Sequence, residues 1–148
     1  MQGRKFFIID DDMDDSELFI EALSSLGPGN QYDHASDGRE AIEKLAGRKD
    51  EVPDAIFLDI NMPIMNGWEC LTKLKLEKAY KDIPVIIYTT SSSSKDKMQA
   101  RNLGANCFIT KMTDFRQLKK MLEIFVEKIN SLPIEVICRL VHEKITLN

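Results

Sequence analysis

The chain has 148 residues, 43% hydrophobic and 30% charged, and a formal net charge of −4. That length suits one domain with its own core, and the acidic balance argues against nucleic acid as the main partner, because phosphate binding wants a basic face. No apolar run approaches a membrane-spanning length and no signal peptide opens the sequence, so a cytoplasmic protein without a membrane partner is expected. The cysteines, Cys70, Cys107 and Cys138, have no metal-like spacing and are expected to be reduced, buried thiols.

In chain order, residues 4–9 give a basic lead-in and then apolar β-formers, a first strand that stops at Asp10, Asp11 and Asp12. Leu18, Phe19, Ala22, Leu23 and Leu26 follow at helical spacing, with Asp14, Asp15 and Ser16 expected to supply caps and first-turn acids. Gly27, Pro28 and Gly29 end that helix, and residues 31–35 read as a short polar strand suited to a sheet edge. Ser36, Asp37 and Gly38 turn the chain into a helix carrying Ala41, Ile42 and Leu45, and a polar loop, residues 47–53, leads on to a third strand. After it come a helix with Trp68, Leu71 and Leu74, a fourth strand over 83–89, and a modest helix around Met98 and Ala100 stopped by Gly104. A fifth strand over 106–110 ends at Lys111, and Thr113 and Asp114 cap a long helix running to Ile129.

Strands thus alternate with helices five times. That pattern implies a parallel sheet with right-handed crossovers and helices on both faces. Residues 131–148 are left over; Ile134, Val136, Ile137, Leu140, Val141 and Ile145 form one apolar helix face after Pro133. A sixth helix packed on the body is expected, with self-association as a homodimer or partner binding as the other role for this segment.

The stretch 54–67, DAIFLDINMPIMNG, organises the rest. Ala55, Ile56, Phe57 and Leu58 lack polar alternation, as a strand buried on both faces does, and Asp59 ends the run before loop residues Asn61, Pro63, Asn66 and Gly67. In a parallel sheet all strand C-termini share one edge. A flavodoxin-like strand order would therefore bring Asp10, Asp11 and Asp59 into one pocket, with Thr89 and Lys111 beside them. Clustered carboxylates resist ionisation unless a cation joins them. Oxygen ligands in an open cleft favour Mg²⁺ or Mn²⁺ over zinc. Lys111 adds positive charge and Thr89 a hydroxyl, a set suited to holding a phosphoryl group on the Asp59 carboxylate.

This ordered set resembles the receiver domain of two-component response regulators. The likeness runs through Ile8-Ile9-Asp10-Asp11, Phe57-Leu58-Asp59-Ile60-Asn61-Met62-Pro63 with Gly67, Tyr88-Thr89-Thr90, and Gly104-Ala105 leading to Lys111. It implies a flavodoxin-like α/β fold of strand order 2-1-3-4-5 with five helices over residues 1–130, and a C-terminal extension over 131–148. It implies Asp59 as phosphoacceptor, and Asp11, Asp59 and the Asn61 carbonyl as Mg²⁺ ligands with Asp10 acting through water. Thr89 and Lys111 would be the phosphoryl-sensing pair and Phe108 an aromatic switch. The implied partners are a histidine kinase or phosphotransfer protein and a downstream protein target, reached without a DNA-binding or enzymatic output domain.

Three positions depart from the family pattern. Met112 stands where proline is usual, so a trans bond is expected there; Thr90 adds bulk beside Thr89; and Ser91 to Ser94 make the following loop unusually polar. Two other readings fit parts of the sequence: an interaction module that is never phosphorylated, and an aspartate-nucleophile phosphatase, which would need a substrate cap for which no insertion is long enough.

Overall fold

A computed structural model describes residues 3–48 and 51–146. Strand β1 (Lys5–Ile9) leads to α1 (Met13–Ser24), β2 (Gln31–Ala35) to α2 (Gly38–Ala46) and β3 (Ala55–Leu58) to α3 (Gly67–Leu76). Strand β4 (Val85–Thr89) leads to α4 (Ser94–Asn102), β5 (Cys107–Thr110) to α5 (Phe115–Lys128), and a sixth helix, α6 (Ile134–Thr146), follows. Lys49 and Asp50 of the polar loop, and Leu147 and Asn148 of the C-terminal extension, lie outside the described residues.

Every strand pairing is parallel, in the order β2-β1-β3-β4-β5. The expected flavodoxin-like topology is therefore the one observed, with polar β2 at an edge. Period-two alternation divides each central strand between two cores. Phe6, Ile8, Phe57, Ile86 and Tyr88 pack with Phe19 of α1 and Leu122 and Phe125 of α5. Phe7, Ile9, Ile56, Leu58 and Ile87 pack with Ala41 of α2, Leu71 and Leu74 of α3, and Ala100 of α4. Phe57 centres the first core, with ring centroids 5.4 Å from Phe6, 4.9 Å from Phe19 and 5.3 Å from Phe125.

The C-terminal apolar stripe does form a helix. Ile134, Ile137, Val141 and Ile145 are buried in the α1/α5 core, while Leu140 and Val136 are half-buried. The cysteine expectation needs correction. Cys107 of β5 and Cys138 of α6 are joined in a disulfide, and only Cys70 is a free, buried thiol among the described residues. A separation of 31 residues carries no spacing motif; the packing of α6 beside β5 creates the pair.

Candidate functional site

The residues at the sheet's C-terminal edge arrive there by topology. Asp10 follows β1, Asp59 follows β3, Thr89 ends β4 and Lys111 follows β5. Asp10, Asp11 and Asp59 each place a carboxylate oxygen so that all three lie within 4.8 Å of one another. Asp10 and Asp59 are buried and Asp11 is exposed. The switch of strand order between β1 and β3 opens the crevice where such sheets bind ligands.

Local geometry divides the run of three aspartates. The Asp12 side chain accepts from the Asp15 backbone N–H at 3.0 Å and caps α1, while the Asp12 N–H donates to Asp10 Oδ1 at 2.9 Å. Asp10 and Asp11 are left to the cluster. The cap therefore sits earlier than expected. Because α1 starts at Met13, Asp14 and Asp15 are first-turn acids, and Ser16 is a buried residue within the helix. Its hydroxyl lies 3.2 Å from His34 Nε2, which is 3.0 Å from the Asp10 carbonyl oxygen, so a polar bridge from β2 steadies Asp10.

Lys111 Nζ lies 2.7 Å from Asp10 Oδ2, 2.7 Å from Asp15 Oδ2 and 3.5 Å from Asp59 Oδ2. Asp15 belongs to the site although the sequence reading gave it only a helix-dipole role. Its one signal was its place a helical turn beyond Asp11. Burial chiefly pushes the Asp10 carboxyl up to about 6, with the nearby Asp59 adding to the rise and Lys111 opposing it. Burial pulls the Lys111 ammonium down, but its bonds to Asp10 and Asp15 more than offset this and hold its pKa above the ordinary lysine range.

The loop after β3 folds back tightly on Asp59. The Ile60 N–H donates to Asp59 Oδ1 at 2.9 Å, and the Gly67 N–H to the Ile60 carbonyl at 2.8 Å. A Cβ on Gly67 would stand 2.2 Å from the Asp59 carbonyl oxygen, so only glycine allows this approach. Asn66 and Glu69 form a capping box that starts α3 there. Asn61 is exposed in this loop.

Thr89 is fully buried, and its Oγ1 is the one buried side-chain polar atom without a hydrogen-bond partner among the described residues. A buried hydroxyl costs free energy unless something bonds it, so such an atom marks a place for a ligand. Thr90 is exposed in the bend just past the end of β4. Every described peptide bond is trans, the bond before Met112 included, and the Met112 N–H donates to Tyr88 Oη at 3.2 Å. The serine-rich segment is ordered by its own polarity: Ser93 caps α4, and Ser91 Oγ donates to Asp96 Oδ2 at 2.6 Å. Phe108 is half-buried and lines a cavity between α4, β5 and α6.

Hard carboxylate oxygens gathered at an open edge fit a hard divalent cation, and the adjoining lysine and orphaned hydroxyl fit an anionic oxyacid group. A doubly wound parallel sheet carrying that set defines a receiver-type domain. The family model for the response regulator receiver domain matches residues 6–123, and the chain belongs to that family.

Among curated relatives, a chemotaxis protein CheY homolog of Campylobacter jejuni is 33% identical over 119 residues, covering 80% of this chain and 89% of the relative. Response regulator Rcp1 of Synechocystis is 30% identical over 120 residues, covering 78% and 82%. Among solved structures, the phosphorylated cyanobacterial phytochrome response regulator RcpA superposes with a TM-score of 0.78 at 31% identity, covering 88% of this chain and 99% of that one. The Mn²⁺-bound form of Rcp1 gives a TM-score of 0.72 at 28% identity, covering 82% and 91%.

Proposed function

We propose that this protein is a phosphorylation-dependent receiver switch. It takes a phosphoryl group onto Asp59 from a histidine kinase or phosphotransfer protein in the cytoplasm and signals by binding another protein. The observation that carries this reading is the convergence of Asp10, Asp11 and Asp59 around Lys111, beside the unpartnered Thr89 hydroxyl. The relatives that are response regulators, one of them solved in its phosphorylated form, support it.

Each residue has a role that follows from its chemistry. The Asp59 carboxylate is the nucleophile: its oxygen bonds to phosphorus as the donor's bond to phosphorus breaks, giving an acyl phosphate. Asp10, Asp11 and Asp59, with the Asn61 carbonyl, would hold Mg²⁺, or Mn²⁺ as in the Rcp1 structure. When bound, that cation supplies charge neutralisation for the phosphoryl oxygens. Lys111 gives a fixed positive charge against the same oxygens, and Thr89 Oγ1 gains the acceptor it lacks. Thr89 and Phe108 form the switch, through which a local charge event biases a two-state surface. The protein catalyses at most its own phosphorylation and dephosphorylation. The domain occupies residues 1–130, with 131–148 as its extension.

Incubating the protein with Mg²⁺ and a small acyl phosphate is expected to add one phosphoryl mass and to change Trp68 fluorescence. Asp59→Asn is expected to abolish both; a variant that still labels would remove Asp59 from the mechanism.

A further inference from the structure

We propose that Cys107 and Cys138 form a thiol–disulfide exchange site, read by soluble dithiols, that decides whether α6 stays clamped to β5. The two sulfurs join adjacent elements across 31 residues of sequence, and both cysteines line a cavity of about 580 Å³ between α4, β5 and α6. They are not equivalent: Cys107 is buried in the core, whereas Cys138 is half-buried on the helix. The cavity wall carries Lys97, Arg101 and Arg139 against the single acid Glu135. An entering thiolate therefore meets mainly positive charge, in a protein whose net charge is −4. One helical turn from Cys138, His142 Nδ1 lies 3.8 Å from its Sγ.

The bridge is not a staple that the fold requires. Disulfides substitute for a core in domains too small to build one, and this chain has two extensive cores. Reachable disulfides are the labile ones, since exchange depends on access and on stabilisation of the thiolates released. The reductant thiolate attacks Cys138 Sγ. The protein S–S bond breaks, a mixed disulfide forms at Cys138, and Cys107 leaves as a thiolate that takes a proton. The reductant's second thiolate then attacks its own sulfur in that mixed disulfide and closes an internal disulfide. The released Cys138 thiolate takes its proton beside His142. The protein pair gains two electrons and two protons, and the dithiol loses them.

Reduction leaves α6 held by Ile134, Ile137, Val141 and Ile145 and by the Asn106 Nδ2 to Glu135 Oε1 hydrogen bond of 3.3 Å. Phe108, the neighbour of Cys107, lines the same cavity, so a loosened α6 changes the surface around it. None of this uses the acid pocket, and it stands whether or not Asp59 is phosphorylated.

The test compares oxidised and dithiothreitol-reduced full-length protein under native conditions. Iodoacetamide after reduction is expected to label Cys107 and Cys138 and to spare Cys70. With α5 intact, the bridge closes only the stretch from Lys128 to Cys138, for which loop-closure entropy gives a roughly 10²-fold faster amide exchange in α6 on reduction, with α1 unchanged. Cys138→Ser without reductant is expected to match the reduced protein, and Cys107→Ser with oxidised glutathione to gain one glutathione on Cys138. Any of three results overturns the proposal: three free thiols after oxidant treatment, a bridge that yields only in denaturant, or equal α6 exchange in both redox states.

Discussion

Asp10→Asn isolates the cost of gathering carboxylates without a cation. Burial lifts the Asp10 carboxyl from an ordinary 3.8 to about 6, so holding it ionised in the fold costs about 3 kcal/mol at neutral pH. The attraction of Lys111 is already counted, because it opposes the same shift. Since the folded-state pKa is raised, the folded chain binds the extra proton, and wild-type stability falls as pH rises from about 4 through about 6. Asparagine carries no such charge. In metal-free buffer the variant is expected to match the wild type near pH 4 and to be about 3 kcal/mol more stable at pH 7.5. Urea denaturation in EDTA at both pH values measures this. Saturating Mg²⁺ is expected to close most of the gap, because a cation at about 100 times its dissociation constant restores about 2.7 kcal/mol to the wild type and less to a variant short of one carboxylate. An Asn variant no more stable than wild type at pH 7.5, or a difference that ignores pH, would refute the reasoning.

Gly67→Ala is expected to lose about 2 kcal/mol and most phosphoryl uptake, since its Cβ would meet the Asp59 carbonyl at 2.2 Å and Ile60 Cα at 2.6 Å, both immobile backbone; calorimetry and mass spectrometry read the two effects. Ile64 is exposed with φ of 64°, a left-handed conformation that a β-branched residue adopts at a cost. Ile64→Asn is therefore expected to raise stability by about 1 kcal/mol, and an unchanged urea midpoint would count against strain there. Burial, with Asp37 nearby, pushes the Cys70 thiol up to about 12. Native protein at pH 8 is expected to alkylate at Cys70 at least ~10²-fold more slowly than a free thiol, because so little thiolate forms; a rate near that of a small-molecule thiol would contradict that burial.

The chain's own pattern settled more of the fold than of the site. Apolar runs marked every strand but β2, which was legible as a short polar edge strand after Gly27, Pro28 and Gly29, and the alternation of strands with helices left a parallel sheet as the arrangement that buries them. Because parallel strands end on one edge, Asp10, Asp59, Thr89 and Lys111 were legible as neighbours from their places alone. Asp15 was not legible as a partner of Lys111. A first-turn acid looks the same whether it faces solvent or a lysine 96 residues away. The Ser16–His34–Asp10 bridge was equally hidden, since it spans two elements with no periodic signal.

Sequence by itself determined what is local or periodic: which segments pair, which faces are apolar, and which charged residues terminate strands. Only the tertiary structure decided which charges meet, that Thr89 Oγ1 is left without a partner, and that Cys107 and Cys138 are close enough to bond. Those depend on distances between elements far apart in the chain. Such distances are set by how helices seat on the sheet, and residue spacing does not encode them.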